Sequence, residues 1–161
     1  MIFVSVGTNE ARFDRLLQLV TSLDINDELV IQYGHSSPVS APGIELVDFL
    51  SFEAMGEKIR TAHAFVTHAG VGSIMVGLAN GKRPIVVPRT EALDEAVDDH
   101  QLQLGRRFAE AGLVTIVETR EELVDALGGA QPAAAVMPAT SSLASELRLF
   151  LEQTIVAPVA A

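Results

Sequence analysis

Ala64-Phe65-Val66-Thr67-His68-Ala69-Gly70-Val71-Gly72-Ser73 is the stretch on which the reading of this chain turns. Ala64 to Thr67 is a short apolar, partly β-branched run, the pattern of a buried strand. After the glycines, Ile74-Met75-Val76-Gly77-Leu78-Ala79-Asn80 continues as a helix, and Gly81 is its stop. Strand, glycine-rich turn and helix in that order can hold an anion. Glycines let the backbone approach a ligand, and the first free N–H groups of the helix point at it. The same order also serves as a plain tight connection, so the flanking sequence has to decide.

Working outward, Ile2 to Val6 reads as a first strand, followed by the turn Gly7-Thr8-Asn9 and a helix from about Ala11 to Leu23. Glu28 to Gln32 and Ile44 to Phe49 read as strands, and Phe52 to Thr61 as a helix capped by Ser51. Beyond the central motif, Pro84 to Pro88 is a proline-bracketed strand. Arg89 to Val97 is a loop or a short helical turn, and Asp98 opens a helix to Ala111 with Gly112 behind it. Leu113 to Val117 is a sixth strand, and Thr119 with Glu122 forms a capping box for a helix ending at Gly128-Gly129. Strands alternating with helices predict an α/β fold, a Rossmann-like open, mostly parallel sheet with helices on both faces. The domain is expected over residues 1–128, an Ala/Pro-rich connector over 129–139, and over 140–156 a final helix packing on the domain or on a partner.

Composition narrows the function. The 161 residues are 48% hydrophobic, enough for a real core. Eleven basic against 21 acidic residues give a formal charge of −10. That balance argues against nucleic acid as a partner, because phosphate neutralisation needs clustered Lys and Arg. Without cysteine there is no disulfide, thiolate metal site or cysteine nucleophile. Met1 leads directly into a strand-length apolar run without a basic n-region, so no signal peptide is expected. No run reaches the roughly 18–20 apolar residues of a membrane span. A cytoplasmic protein without a direct membrane span is the expectation.

In an open parallel sheet, ligands sit outside the carboxyl ends of the strands. Four stretches fall there: Gly7-Thr8-Asn9, Gly34-His35-Ser36, His68 to Ser73, and Arg89 to Gln101. Gly7, Thr8 and Asn9 offer N–H groups, a hydroxyl and an amide, to a phosphate or only to a helix start. There is no Gly-Lys-Ser/Thr of a P-loop and no third glycine of the dinucleotide fingerprint. Gly70, Gly72 and Ser73 make the better phosphate cradle, and His68 is either a structural histidine or a ligand contact. Helix-dipole capping accounts for one carboxylate of Asp98-Asp99. Asp99, His100 and Gln101 together could serve a polyhydroxylated ligand such as a sugar. No second cluster has metal-ligand spacing, so neither a metal nor another cofactor is expected.

Taken together, Ile2 to Asn9, Phe13-Asp14-Arg15-Leu16, His68 to Ile74, Gly81 to Arg89 and Asp99-His100-Gln101 resemble one family. It is the glycosyltransferase family 28 C-terminal domain in its short stand-alone form. The chain is similar to PssE-type exopolysaccharide transferase subunits and to the small subunit of the dolichol-pathway GlcNAc transferase. The resemblance implies the C-terminal, donor-binding half of a GT-B fold, with a UDP-sugar as substrate. It also implies a separate membrane-anchored, acceptor-binding subunit that recruits this chain to the inner face of the plasma membrane.

By the same resemblance Gly7, Thr8 and Asn9 lie near the diphosphate, and Gly70, Gly72 and Ser73 form the phosphate-facing turn. Asp99, His100 and Gln101 lie toward the ribose and sugar hydroxyls. His68 and His100 are the candidate catalytic groups, with neither assigned as general base. The reading that follows is the donor-binding subunit of a two-component inverting glycosyltransferase in surface polysaccharide synthesis. One position departs from the family: where many members carry a ribose-gripping glutamate, three residues after Ser73, this chain has Val76. That substitution favours the alternative, a non-catalytic interaction subunit with the same fold.

Overall fold

The computed structural model describes residues 1–24, 26–39 and 42–130. The expected helix over 140–156 and the connector from residue 131 onward lie outside the described residues. Six strands form one sheet: β1 (Ile2–Ser5), β2 (Leu29–Gln32), β3 (Ile44–Val47), β4 (Ala64–His68), β5 (Ile85–Val87) and β6 (Thr115–Ile116). Every pairing is parallel and the order is β3-β2-β1-β4-β5-β6. β1 is central, with Ile2 to Ser5 paired to Leu29 to Gln32 on one side and to Ala64 to Thr67 on the other.

Alternation along the strands divides the core into two layers. Ile2, Val4, Ala64, Val66, Ile85 and Val87 face α1 (Asp14–Thr21) and α5 (Arg120–Gly128) through Leu16, Leu17, Val20 and Leu123. On the opposite face, Phe3 and Phe65 stack with ring centroids 5.6 Å apart and pack on Ile59 of α2 (Phe52–Thr61). Val86 on that side meets Ile74 and Leu78 of α3 (Val71–Ala79) and Phe108 of α4 (His100–Glu110). Helices thus cover both faces, as the alternating pattern predicts.

The predicted helix stops hold in detail. Gly81 and Gly112 have φ of +77° and +73°, beyond the ends of α3 and α4. Lys82 N–H donates to Gly77 O and Leu113 N–H to Phe108 O, so each end is closed by a Schellman turn. Ser51 Oγ accepts from Ala54 N–H at 3.2 Å, capping α2.

Other boundaries move. α1 begins at Asp14 rather than near Ala11, because the preceding polar groups are taken elsewhere. Ala11 N–H donates to Asn9 Oδ1, Phe13 N–H donates to Ser36 Oγ, and the Ala11 and Arg12 carbonyls accept from Arg89. α3 begins at Val71, earlier than its apolar run suggests, so Gly72 and Ser73 are in its first turn. α4 begins at His100 rather than Asp98, whose Oδ1 instead accepts the His100 N–H. The third strand ends at Val47, two residues short of the expected Phe49.

Thr119 and Glu122 form a reciprocal capping box at α5, with Leu123 buried one residue on. Thr119→Ala is expected to lower unfolding free energy by about 1 kcal/mol in urea titration, with an unchanged m-value.

Candidate functional site: a cavity between the ends of β1 and β4

Strand order reverses direction between β1 and β4, so the loops after these two strands leave toward opposite faces. A cavity of about 610 Å³ opens there, a volume in the range of small-molecule sites. Ser5, Gly7, Thr8, Asn9, His68, Gly72 and Ser73 line one part of it, and Leu50, Phe52, Met55, Ile59, Phe65 and Val76 the rest. One part of the wall can donate hydrogen bonds; the other is an apolar surface.

A buried polar chain shapes the floor. Ser5 Oγ donates to Gln32 Oε1 at 2.7 Å, and Gly7 N–H reaches the same oxygen at 3.2 Å. The Gln32 amide donates in turn to Gly7 O and Asp48 O, at 3.1 and 2.9 Å. Thr67 Oγ1 donates to Ser5 O at 2.9 Å, tying β4 to β1. In a low-dielectric interior such a satisfied network fixes the strand ends in one arrangement.

His68 is the hub of the polar wall. A Cβ on Gly7 would come within 2.4 Å of its Nε2, and one on Gly70 within 2.3 Å of its Cε1. The imidazole therefore fills the space that two glycines leave. Gly70 is glycine for the histidine, whereas a Cβ on Gly72 would meet nothing within 4 Å. Of the two glycines read as the cradle, Gly72 is the one open to a ligand.

Gly70 N–H donates to His68 Nδ1 at 3.1 Å, which leaves the ring proton on Nε2. Nε2 stands 2.9 Å from Ser73 Oγ and donates to it, so the serine hydroxyl hydrogen is free to turn into the cavity. Burial, and then the charge of Arg89, push the His68 pKa from 6.5 down to about 4; contact with Gln101 acts the other way. At neutral pH the ring is uncharged. Gly70 caps α3 without a side chain, so its first-turn N–H groups are left for another acceptor.

The β1–α1 loop is clamped from behind by Arg89, which has no exposed surface. Its Nη1 donates to Ala11 O, Arg12 O and Glu95 O, and its Nη2 to Val6 O, at 2.9 to 3.1 Å. The guanidinium lies 4.5 Å from the Phe13 ring centroid. Burial pulls its pKa below the usual arginine value, and the Glu95 carboxylate opposes that. Glu95 is also gripped by Arg15, through 2.9 and 2.8 Å bonds.

Of the residues expected at the site, Gly7, Thr8, Asn9, His68, Gly72 and Ser73 converge on the cavity, with Gly70 beneath the His68 ring. Gln101 Oε1 comes within 3.4 Å of His68 Nδ1. Asp99 and His100 are outside the cavity wall. Asp99 Oδ1 accepts from Glu91 N–H, and His100 is 81% exposed beside Asp98. Among the described residues no group of three or more His, Cys, Asp and Glu is placed to hold a metal. No helix among them is long and apolar enough to cross a membrane.

The model of the glycosyltransferase family 28 C-terminal domain matches residues 1–151. The chain belongs to this family. UDP-N-acetylglucosamine transferase subunit ALG13 of Homo sapiens is 32% identical over 124 residues, covering 69% of this chain and 10% of that protein. The same-named subunit of Eremothecium gossypii is 38% identical over 89 residues, covering 55% and 40%. This chain thus spans less than half the length of these relatives.

Solved structures agree on the fold. The calicheamicin glycosyltransferase CalG4 superposes with a TM-score of 0.59 at 19% identity, covering 98% of this chain and 44% of that one. The glycosyltransferase of kitacinnamycin gives 0.57 at 21%, covering 79% and 33%. At such identities the likeness concerns the fold: this family 28 domain has the architecture of part of a GT-B glycosyltransferase.

Sequence reasoning missed the apolar wall from α2 and the buried Gln32, and it placed Arg89 in a candidate stretch without a role for its side chain. Each polar residue ends or follows an apolar strand at its carboxyl edge, a signal that was available. Val76, singled out as a departure, does line the cavity.

Two outcomes follow from His68. Its folded pKa lies below the unfolded 6.5, so the unfolded chain binds the extra proton between the two values. Stability is expected to fall as pH drops from 6.5 toward 4, and His68→Gln removes that part of the slope in denaturant titrations across pH. Gly70→Ala is expected to cost about 1–3 kcal/mol in the parent through overpacking and much less beside His68→Ala. A double-mutant cycle measures the difference.

Proposed function

We propose that this chain is the donor-binding subunit of a two-component inverting glycosyltransferase. It receives a UDP-sugar, and a membrane-anchored partner presents the lipid-linked acceptor for surface polysaccharide synthesis at the cytoplasmic side of the membrane. The observation that carries the reading is the cavity at the β1/β4 reversal, with the uncapped start of α3, Gly72 and Ser73 on its wall. Family membership supports the transfer chemistry, and the names of the ALG13 relatives support both the nucleotide sugar and the role of a subunit.

In this reading the α3 N–H groups and Ser73 hydroxyl take the diphosphate. They stabilise charge on the departing UDP without a metal ion. The flat apolar surface of Phe65, Met55 and Val76 accommodates the less polar part of the nucleotide. The neutral His68 orients Ser73. The acceptor half supplies the general base, since the His68 Nδ1 lone pair already accepts from Gly70. Asp99 and His100 are at the start of α4, where they face sugar hydroxyls only with the partner and donor in place.

The second reading, a non-catalytic interaction subunit, is favoured by one observation. Val76 is in the wall, and no carboxylate among the described residues lines the cavity to bind ribose hydroxyls.

Gly72→Val separates the two, because a Cβ at this position meets nothing within 4 Å and the added side chain intrudes on the cavity that Gly72 lines. In the reconstituted complex it is expected to abolish UDP-sugar binding and transfer while leaving Tm and partner assembly as in the parent. Full transfer by Gly72→Val, or no movement of the Gly72 and Ser73 amide resonances at saturating UDP-sugar, would overturn the donor-site reading.

A further inference from the structure

Arg89 is a large, fully buried cation that the donor site as described does not touch. Burying a charge is costly unless it is paired and hydrogen-bonded. Here the pairing is incomplete: the Glu95 carboxylate is ion-paired with Arg15 and acts on Arg89 only through space, while Arg89 itself bonds the Glu95 carbonyl, so the trio retains a net positive charge. Among the described residues the Arg89 Nε has no hydrogen-bond partner. A core filler would be apolar at that position. What a guanidinium alone provides is a rigid, planar fork of donors reaching several acceptors at once.

Those acceptors are the carbonyls of Val6, Ala11, Arg12 and Glu95. Three of the four flank Gly7, Thr8 and Asn9, the part of the loop that lines the cavity. The fork also ends the ladder before α1, because the Ala11 and Arg12 carbonyls are committed to it. Phe13 closes one face of the guanidinium, and its own N–H is held by Ser36. Outside, Arg15 clamps the Glu95 carboxylate, and Thr90 N–H donates to the same Oε2 at 3.2 Å. The loop after β5 and the loop after β1 are joined into one piece.

We infer that Arg89 is a positioning residue of the cavity: its guanidinium holds residues 6–12 in the conformation that receives a nucleoside diphosphate. The inference rests on the donor-site reading for the identity of the ligand, and on the hydrogen bonds alone for the conformation of the loop. A lysine retains the charge but has no planar fork, so it cannot engage the four carbonyls together.

The test uses the full chain, with UDP as the probe and hydrogen exchange of the unliganded protein as a second readout. Arg89→Lys is expected to raise the UDP Kd about tenfold or more and to speed amide exchange at Thr8 to Arg12 by a similar factor. Val71 to Ser73 keep their parental exchange. Arg15→Met, which loosens only the outer clamp, is expected to raise Kd about two- to fivefold. Leu123→Ala, which loosens the apolar core without removing any hydrogen bond of the loop, serves as a matched loss of Tm and leaves the Kd as in the parent.

Parental Kd and loop exchange in folded Arg89→Lys would overturn the inference, as would an equal rise in Kd in Leu123→Ala. If Arg89→Lys does not fold, Arg15→Met decides: parental Kd and exchange in that variant overturn the inference. If the parent itself binds no UDP, the donor reading falls, and loop exchange in the same variants still decides the role of Arg89.

Discussion

Pairing of β1 directly with β4, between residues 62 apart in the sequence, is the constraint on which everything at the site depends. It sets Ser5 beside Thr67, so the two loops that follow diverge from adjacent points on one edge. The crevice between them exists because of that register. Thr67 Oγ1 bonding to Ser5 O and the Gln32 amide bonding to both sides of Gly7 hold the edge in place from below. A ligand cavity here is a product of strand order; the side chains decide only what it accepts.

What it accepts is governed by neutral groups. No Asp, Glu, Lys or Arg among the described residues lines the cavity, and its histidine is kept uncharged by burial and by Arg89. Attraction for an anion must therefore come from backbone dipoles at the start of α3 and from hydroxyl donors. Such preorganised dipoles need no rearrangement when charge develops on a leaving group. With the chain at −10, the nearby positive charge that remains, on Arg15 and Arg89 around Glu95, is kept behind the wall.

The architecture was legible because period and punctuation agreed. Apolar strand runs, Gly81 and Gly112 at helix ends, and Thr119 with Glu122 each obeyed local rules, and the structure follows them. The site was legible in part. Gly7 to Asn9 and His68 to Ser73 are placed together by topology, which the α/β pattern implies. The reason for Gly70 was not legible, since it depends on where the His68 imidazole comes to rest. The start of α1 was misplaced for a similar cause: propensity favours helix at Ala11, but Asn9, Ser36 and Arg89 take its hydrogen-bonding groups. Tertiary partners from residues far along the chain cannot be counted from the local window. The helix at Phe52 to Thr61 was read without a role for its apolar side, because an aliphatic helical stripe looks the same whether it faces a neighbour or a cavity.

The central position of β1 has a consequence for how the chain acquires its structure. β1 is synthesised before both of its neighbours, which arrive with residues 29–32 and 64–68. Until β4 has emerged, the apolar run from Ile2 to Val6 has at most one paired edge, and a strand with an open edge is a template for other chains. Parallel pairings over such separations are also slow to form, because loop closure precedes the contacts that reward it. Between synthesis of β1 and of β4, that open edge is available to other chains. The cavity, whose two walls belong to those same strands, cannot form before that interval ends.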